Sequence, residues 1–171
     1  ISNPEGKHEI ALFLGNFVNN SHFASTMLDK FQRELAQLGY SLIMYRVIEE
    51  EIEKLRLPVS FRPERTAGIA CIELFDHGYC RMLCGLDIPL LFIDSPADGF
   101  EAPLEADRLY MDNQTEIYRF AKEMVRRGKK RIGFVGDYMH CQSFYERYMS
   151  YRNAMYGMGL PCPEEYCLVG N

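Results

Sequence analysis

The sequence predicts an α/β fold built on a parallel sheet with helices on both faces. Three observations predict it. Short continuous apolar runs recur along the chain, as strands buried on both faces require. Between them lie stretches whose apolar residues return at helical spacing. The two kinds alternate as β-α-β-α-β-α-β and then β-α-β, the order of parallel strands joined by crossover helices.

The first run, 10–14 (IALFL), is a buried strand. A polar loop over 16–21 leads into a helix over 22–38. There Phe23, Met27, Leu28, Phe31, Leu35 and Leu38 keep helical spacing, and Gly39 ends the helix. The second strand is 40–45 (YSLIMY). A short acidic-to-basic helix over 49–57 stops before Pro58. The third strand is 67–72 (AGIACI), followed by a helix over 77–86 and a fourth strand at 88–93 (IPLLFI). Two prolines and a glycine make 95–104 a loop. A short strand at 108–111 precedes a strong helix over 113–127, with Asn113 and Glu116 as a capping box and Gly128 at the far end. A strand at 131–135 (RIGFV), a helix over 144–157 and a last strand beginning at 166–169 complete the order. Chain chirality makes the crossovers right-handed.

Hydrophobic residues make up 47% of the 171 positions and charged residues 25%, which supplies a core and argues against disorder. The formal net charge of -5 repels a nucleic-acid backbone on average, so DNA contact is expected only from a segment outside this chain. Six cysteines are present, none in a C-x-x-C pair and none at metal-ligand spacing with histidine. They read as the reduced thiols of a cytosolic protein. No apolar run reaches the roughly 18 residues that span a membrane. Residues 1–9 lack the apolar centre of a signal peptide. The phosphate-binding, nucleophile-elbow and zinc-protease motifs are all missing, so no enzyme and no cofactor is expected.

Ligands of parallel α/β sheets bind outside the carboxyl ends of the strands. After the first strand comes Gly15-Asn16-Phe17-Val18-Asn19-Asn20-Ser21-His22-Phe23, whose amides, imidazole and rings suit a polar small molecule. An ordinary capped turn would look the same. Asp94, after the fourth strand, either accepts from a ligand hydroxyl or satisfies nearby backbone amides. Asp112 either meets a ligand or places a negative charge at a helix N-terminus. Arg147, one turn into its helix, is either a ligand-binding fork or an exposed arginine. The basic run Arg126, Arg127, Lys129, Lys130 and Arg131 reads as a helix C-terminus and linker in preference to a nucleic-acid patch.

Several segments, in order, resemble the effector-binding domain of LacI/GalR transcription regulators, over about residues 10–171. The strand, loop and helix ending in Leu38-Gly39-Tyr40-Ser41-Leu42 are similar to the family's first unit. Asp87-Ile88-Pro89-Leu90-Leu91-Phe92-Ile93-Asp94 resembles GIPVVFID, with Asp87 in place of glycine. Met111-Asp112-Asn113 resembles VDN. Arg127-Gly128-Lys129-Lys130-Arg131-Ile132-Gly133-Phe134-Val135-Gly136 resembles LGHRRIAFIG, with Lys129 in place of histidine. Glu146-Arg147 and Tyr151-Arg152-Asn153-Ala154-Met155 resemble the segment ER…GF..AL.

The resemblance implies a periplasmic-binding-protein-like type I fold of two lobes, the second incomplete. Residues 1–9 would be a linker after a missing DNA-binding domain, 10–130 the N-terminal lobe and 131–171 the start of the C-terminal lobe. It implies a cytoplasmic homodimer that binds a sugar or related metabolite in an interlobe cleft. DNA would be held only through an N-terminal helix-turn-helix absent here. His22 and Phe23 fall where family members present side chains to the ligand. Asp112 and Arg147 match the family's ligand-contacting carboxylate and arginine. The opening loop lacks the common NPFF, which leaves its register open. An exported solute-binding protein of the same fold is the competing reading, and a flavodoxin-like enzyme a third.

Overall fold

In the computed structural model, residues 6–15, 22–99 and 101–170 are described, with backbone alone for 22–25. By contacts the chain divides into two units. Unit one is Ile1–Ile93 with Pro103–Leu109, and unit two is Asp94–Ala102 with Tyr110–Asn171. These units do not coincide with the lobes read from the sequence, 10–130 and 131–171. The helix Thr115–Arg126 groups with the chain that follows it, because its Ile117 joins the apolar cluster of Tyr148, Tyr151 and Met155.

Unit one holds five parallel strands: β1 (Glu9–Leu14), β2 (Ser41–Arg46), β3 (Thr66–Ile72), β4 (Leu90–Ile93) and β5 (Asp107–Leu109). They run in the order β2-β1-β3-β4-β5. Its helices are α1 (His22–Gln37), α2 (Glu49–Glu53) and α3 (His77–Cys84). Alternation along β1 sends Ala11 and Phe13 to one face and Leu12 to the other, and all three are buried. The first face gathers Ile69, Cys71 and Phe92 with Tyr79 and Leu83 of α3. On the second, Leu12, Ala70 and Ile72 meet Met27, Leu28 and Phe31 of α1. This two-sided burial explains why the strands read as continuous apolar runs. Phe13, Tyr45 and Phe61 pack edge to face, with ring centroids 5.1–5.6 Å apart.

Several elements are shorter than the sequence suggested, and in two the reason is visible. The helix expected over 49–57 ends at Glu53, and Leu55 then turns to a φ of 49°, out of the helical region. Strand β4 begins at Leu90, not 88. Pro89 has no N–H to give, and its carbonyl accepts from the Ile69 N–H at 2.8 Å.

Unit two holds α4 (Thr115–Arg126), β6 (Phe134–Val135), α5 (Gln142–Gly157) and β7 (Cys167–Leu168). The parallel β6–β7 ladder is two residues long, so the strand expected at 131–135 is reduced to its last two positions. Helix α4 ends as anticipated. Gly128, at φ 76°, takes the left-handed position, and Lys129 N–H reaches back to the Met124 carbonyl at 2.9 Å. Arg126 and Arg127 both pair with Glu123, at 2.7 and 2.6 Å, on the helix they close. Among the described residues, no helix is long and apolar enough to cross a membrane.

The start of α4 departs from the expected capping box. Asp112 Oδ1 accepts from the N–H groups of Gln114 and Thr115, each at 2.9 Å, and so caps the helix. Asn113 is instead turned inward and buried.

Candidate ligand-binding site

The candidate positions fall in both units, and each is described within its own. In unit one, strand order reverses between β1 and β3, where ligands of such sheets bind. The loops leaving these strands touch. A Cβ on Gly15 would stand 1.9 Å from the Glu73 carbonyl oxygen, so glycine is required there. The predicted residues Asn16 and Phe17 lie outside the described residues. His22 and Phe23 lie at the start of α1, and their side chains are likewise outside the description.

Unit two places Asp94 and Arg147 in two sets of hydrogen-bonded polar groups. Asp94 follows β4 with φ 60°, in the left-handed region that short polar side chains tolerate. Its Oδ1 accepts from the N–H groups of Ser95 and Ser143, at 2.9 and 3.1 Å, and its Oδ2 accepts from the Ser143 hydroxyl. Ser143 lies in the first turn of α5, so the carboxylate satisfies the open amides of that helix start. Of the two readings open for Asp94, the structure displays the backbone-amide one. Helix α5 consequently starts at Gln142, two residues before the position read from sequence. Beside Ser143, burial first and then the Asp94 charge push the Cys141 thiol up to about 11.

A second chain of bonds runs along α5. The Asp98 N–H donates to Gln142 Oε1 at 3.2 Å, and Gln142 Nε2 donates to Glu146 Oε1 at 3.3 Å. Asn113 Nδ2 donates to Glu146 Oε2 at 2.9 Å, and Arg147 Nε donates to Asn113 Oδ1 at 3.0 Å. One buried amide thus fixes both an acid and a base. The Arg147 guanidinium also lies over the Phe144 ring, 5.5 Å from its centroid. Among the described residues, no hydrogen bond is recorded from its terminal amino groups. A half-buried fork held at Nε and open at its tips can receive paired oxygens. Nearby in the chain fold, the Ser95 and Tyr110 hydroxyls share a bond of 2.7 Å.

Asp112 remains exposed. Its carboxyl is held down to about 2, chiefly by the Thr115 side chain and then by the amides of Thr115 and Gln114. That is the helix-terminus arrangement, so its charge is already engaged. Sequence reasoning missed Asn113, Gln142, Ser143 and Glu146. Asn113 was visible only as a cap, and Glu146 only as the neighbour of Arg147. Ser143 carries no signal of its own, since its partner Asp94 lies 49 positions away.

No protein-family model matches this chain, and no curated protein matches it. Solved structures do. The transcriptional regulator CelR in complex with cellobiose superposes with a TM-score of 0.75 at 16% identity, over 98% of this chain and 52% of that one. A LacI-family regulatory protein from Chloroflexus aggregans gives 0.73 at 15% identity, over 95% and 58%. The lac repressor dimer bound to operator and an anti-inducer gives 0.69 at 14% identity, over 92% and 47%. The chain therefore spans about half the length of the structures it matches. These are transcription regulators and not enzymes. The fold of this chain is the one they share, the parallel α/β fold of the periplasmic-binding-protein-like type.

Proposed function

We propose that this chain is the effector-sensing part of a bacterial LacI-type transcription regulator. It binds a small polar molecule, a sugar or related metabolite, and this binding controls DNA binding by a separate N-terminal helix-turn-helix. The regulator acts as a cytoplasmic homodimer, whose two-fold symmetry suits a palindromic operator. The single observation that carries the reading is Arg147, half-buried, braced by Asn113 and Phe144, with terminal amino groups that bond to none of the described residues. Such a donor pair suits an acceptor that carries two oxygens. Within unit two, Asp94, whose carboxylate also holds the start of α5, and Asp112, which also caps α4, are further candidate contacts; Asn16, Phe17, His22 and Phe23 are candidates of unit one. An effector switches the regulator by binding one arrangement of the protein more tightly than another.

A thermal-shift screen of sugars, nucleosides and phosphosugars on the full-length protein tests the proposal. A response to one class that disappears in Arg147→Ala supports it. Silence across the panel, or a response that Arg147→Ala leaves intact, overturns the site. The gene sequence upstream of Ile1 decides against the exported alternative if it encodes a helix-turn-helix, and for it if it encodes a signal peptide.

A further inference from the structure

Among the described residues, Leu55, Glu73, Asp87 and Asp94 take a positive φ without being glycine. Three of them have a local account. Leu55 closes α2, where its N–H reaches the Ile52 carbonyl at 3.1 Å and the Arg56 N–H reaches the Glu51 carbonyl at 2.8 Å. Asp87 and Asp94 are short acids, which the left-handed region tolerates, and Asp94 is bonded to Ser95 and Ser143. Glu73, at φ 53°, is neither a helix end nor a short polar residue.

The backbone at Glu73 is fixed from both sides. Ile72 before it pairs in β3, and its carbonyl accepts from the Gly15 N–H at 3.2 Å. Leu74 after it is buried, and its carbonyl accepts from the Cys80 thiol at 3.3 Å. Asp76 then caps α3 through the Tyr79 N–H at 2.7 Å. The turn from β3 into α3 therefore demands a left-handed residue at 73, and glycine would meet that demand without strain. What the glutamate side chain adds is not packing. It is exposed, and no hydrogen bond or ion pair to another described residue engages its carboxylate. It stands at the carboxyl end of the middle strand of the sheet, beside the β1–β3 reversal where ligands of such sheets bind. Strained backbone is concentrated at binding sites, where a group must be held in one place.

We infer that Glu73 is a ligand-contacting carboxylate of unit one, and that its ligand offers it O–H or N–H donors, as a sugar or an amino sugar does. The inference rests on the sensing role proposed above and adds a contact to it. An ionised carboxylate only accepts, so it selects groups that donate and disfavours a ligand carboxylate or phosphate at this position. Two hydroxyls on adjacent carbons can donate to its two oxygens, and an ammonium adds opposite charge.

The test compares full-length parent, Glu73→Gly, Glu73→Gln and Arg147→Ala proteins. Urea denaturation reads stability, and calorimetric titration with D-ribose, D-glucose and D-glucosamine reads binding. Glu73→Gly removes both the strain and the carboxylate. It is expected to unfold at higher urea than the parent while its sugar affinity falls about tenfold or more. Glu73→Gln keeps the side-chain length and the backbone demand, so it is expected to unfold with the parent and to bind more weakly. Preference for the amino sugar over the neutral ones identifies an ammonium as the donor, and the reverse preference identifies hydroxyls; each supports the inference when Glu73→Gly weakens it. A Glu73→Gly protein less stable than the parent, or sugar binding unchanged in both Glu73 variants, overturns it. If that unchanged binding is lost in Arg147→Ala, the sensing role stands without Glu73. If no sugar binds the parent, the inference falls together with the reading it rests on.

Discussion

The two units are held together in different ways. Unit one rests on a five-stranded sheet whose two faces are apolar, and its strands pair backbone to backbone over four to six positions in the longer ladders. Unit two has a ladder of two residues and depends on side chains such as Asp94, Asn113 and Glu146 to join its segments. The contrast separates scaffold from chemistry. Burial of apolar surface is non-directional and tolerates shape-conserving change. A network of directed bonds fixes the orientation of a few groups, and that is what recognition requires.

The contrast can be broken first in the scaffold. Phe13→Ala removes a fully buried ring that touches Tyr45 and Phe61, and is expected to cost about 3–5 kcal/mol. Chemical denaturation followed by circular dichroism reads this loss. A cost no larger than that of a surface change would mean that unit one does not govern stability.

Asn113→Ala should cost less, about 1–3 kcal/mol, because Glu146 and Arg147 lose a shared partner. Its larger effect is expected on ligand response, which weakens because the guanidinium is no longer aimed. Arg147→Ala sharpens the point further. It removes about 1 kcal/mol or less of stability yet abolishes the thermal shift with the responding ligand. Were both variants to lose stability and ligand response in proportion, the network would be scaffold like the sheet.

The smallest effect concerns Asp112. Its folded carboxyl is depressed from 3.8 to about 2, so the charged form is the one the fold favours. The stabilisation is complete above the unfolded value and is lost as pH falls through about 2. Carboxyl NMR titration should place the Asp112 midpoint well below that of the same residue in a short peptide. An ordinary midpoint would remove the cap from α4.

Much of unit one was legible in the sequence because its elements obey local periodicity. The run IALFL and the spacing of Phe31 with Met27 and Leu28 carry their burial in composition alone. The ends of elements were less legible. Leu55 gives no sign that it will leave the helical region, and the influence of Pro89 on β4 depends on its carbonyl accepting from the Ile69 N–H of a neighbouring strand. In unit two the legible features were again local, as with Gly128 closing α4. Arg147 stood out as a candidate, but its orientation depends on Asn113, 34 positions earlier. The Asn113–Glu116 spacing mimics a capping box, and only the third dimension shows that Asp112 does that work.

The bond from Asp94 to the first turn of α5 has a consequence for how the chain can be cut and assembled. The amide it satisfies is 49 residues downstream, so α5 cannot complete its start from its own neighbourhood. Unit two reclaims Asp94–Ala102, while unit one reclaims Pro103–Leu109, so the segments interleave. An expression fragment beginning at Tyr110 would contain every helix of unit two and still lack the residue that caps α5. Long-range closure of this kind slows assembly relative to local helix formation. During synthesis, the start of α5 must therefore wait for a contact whose other half emerged long before.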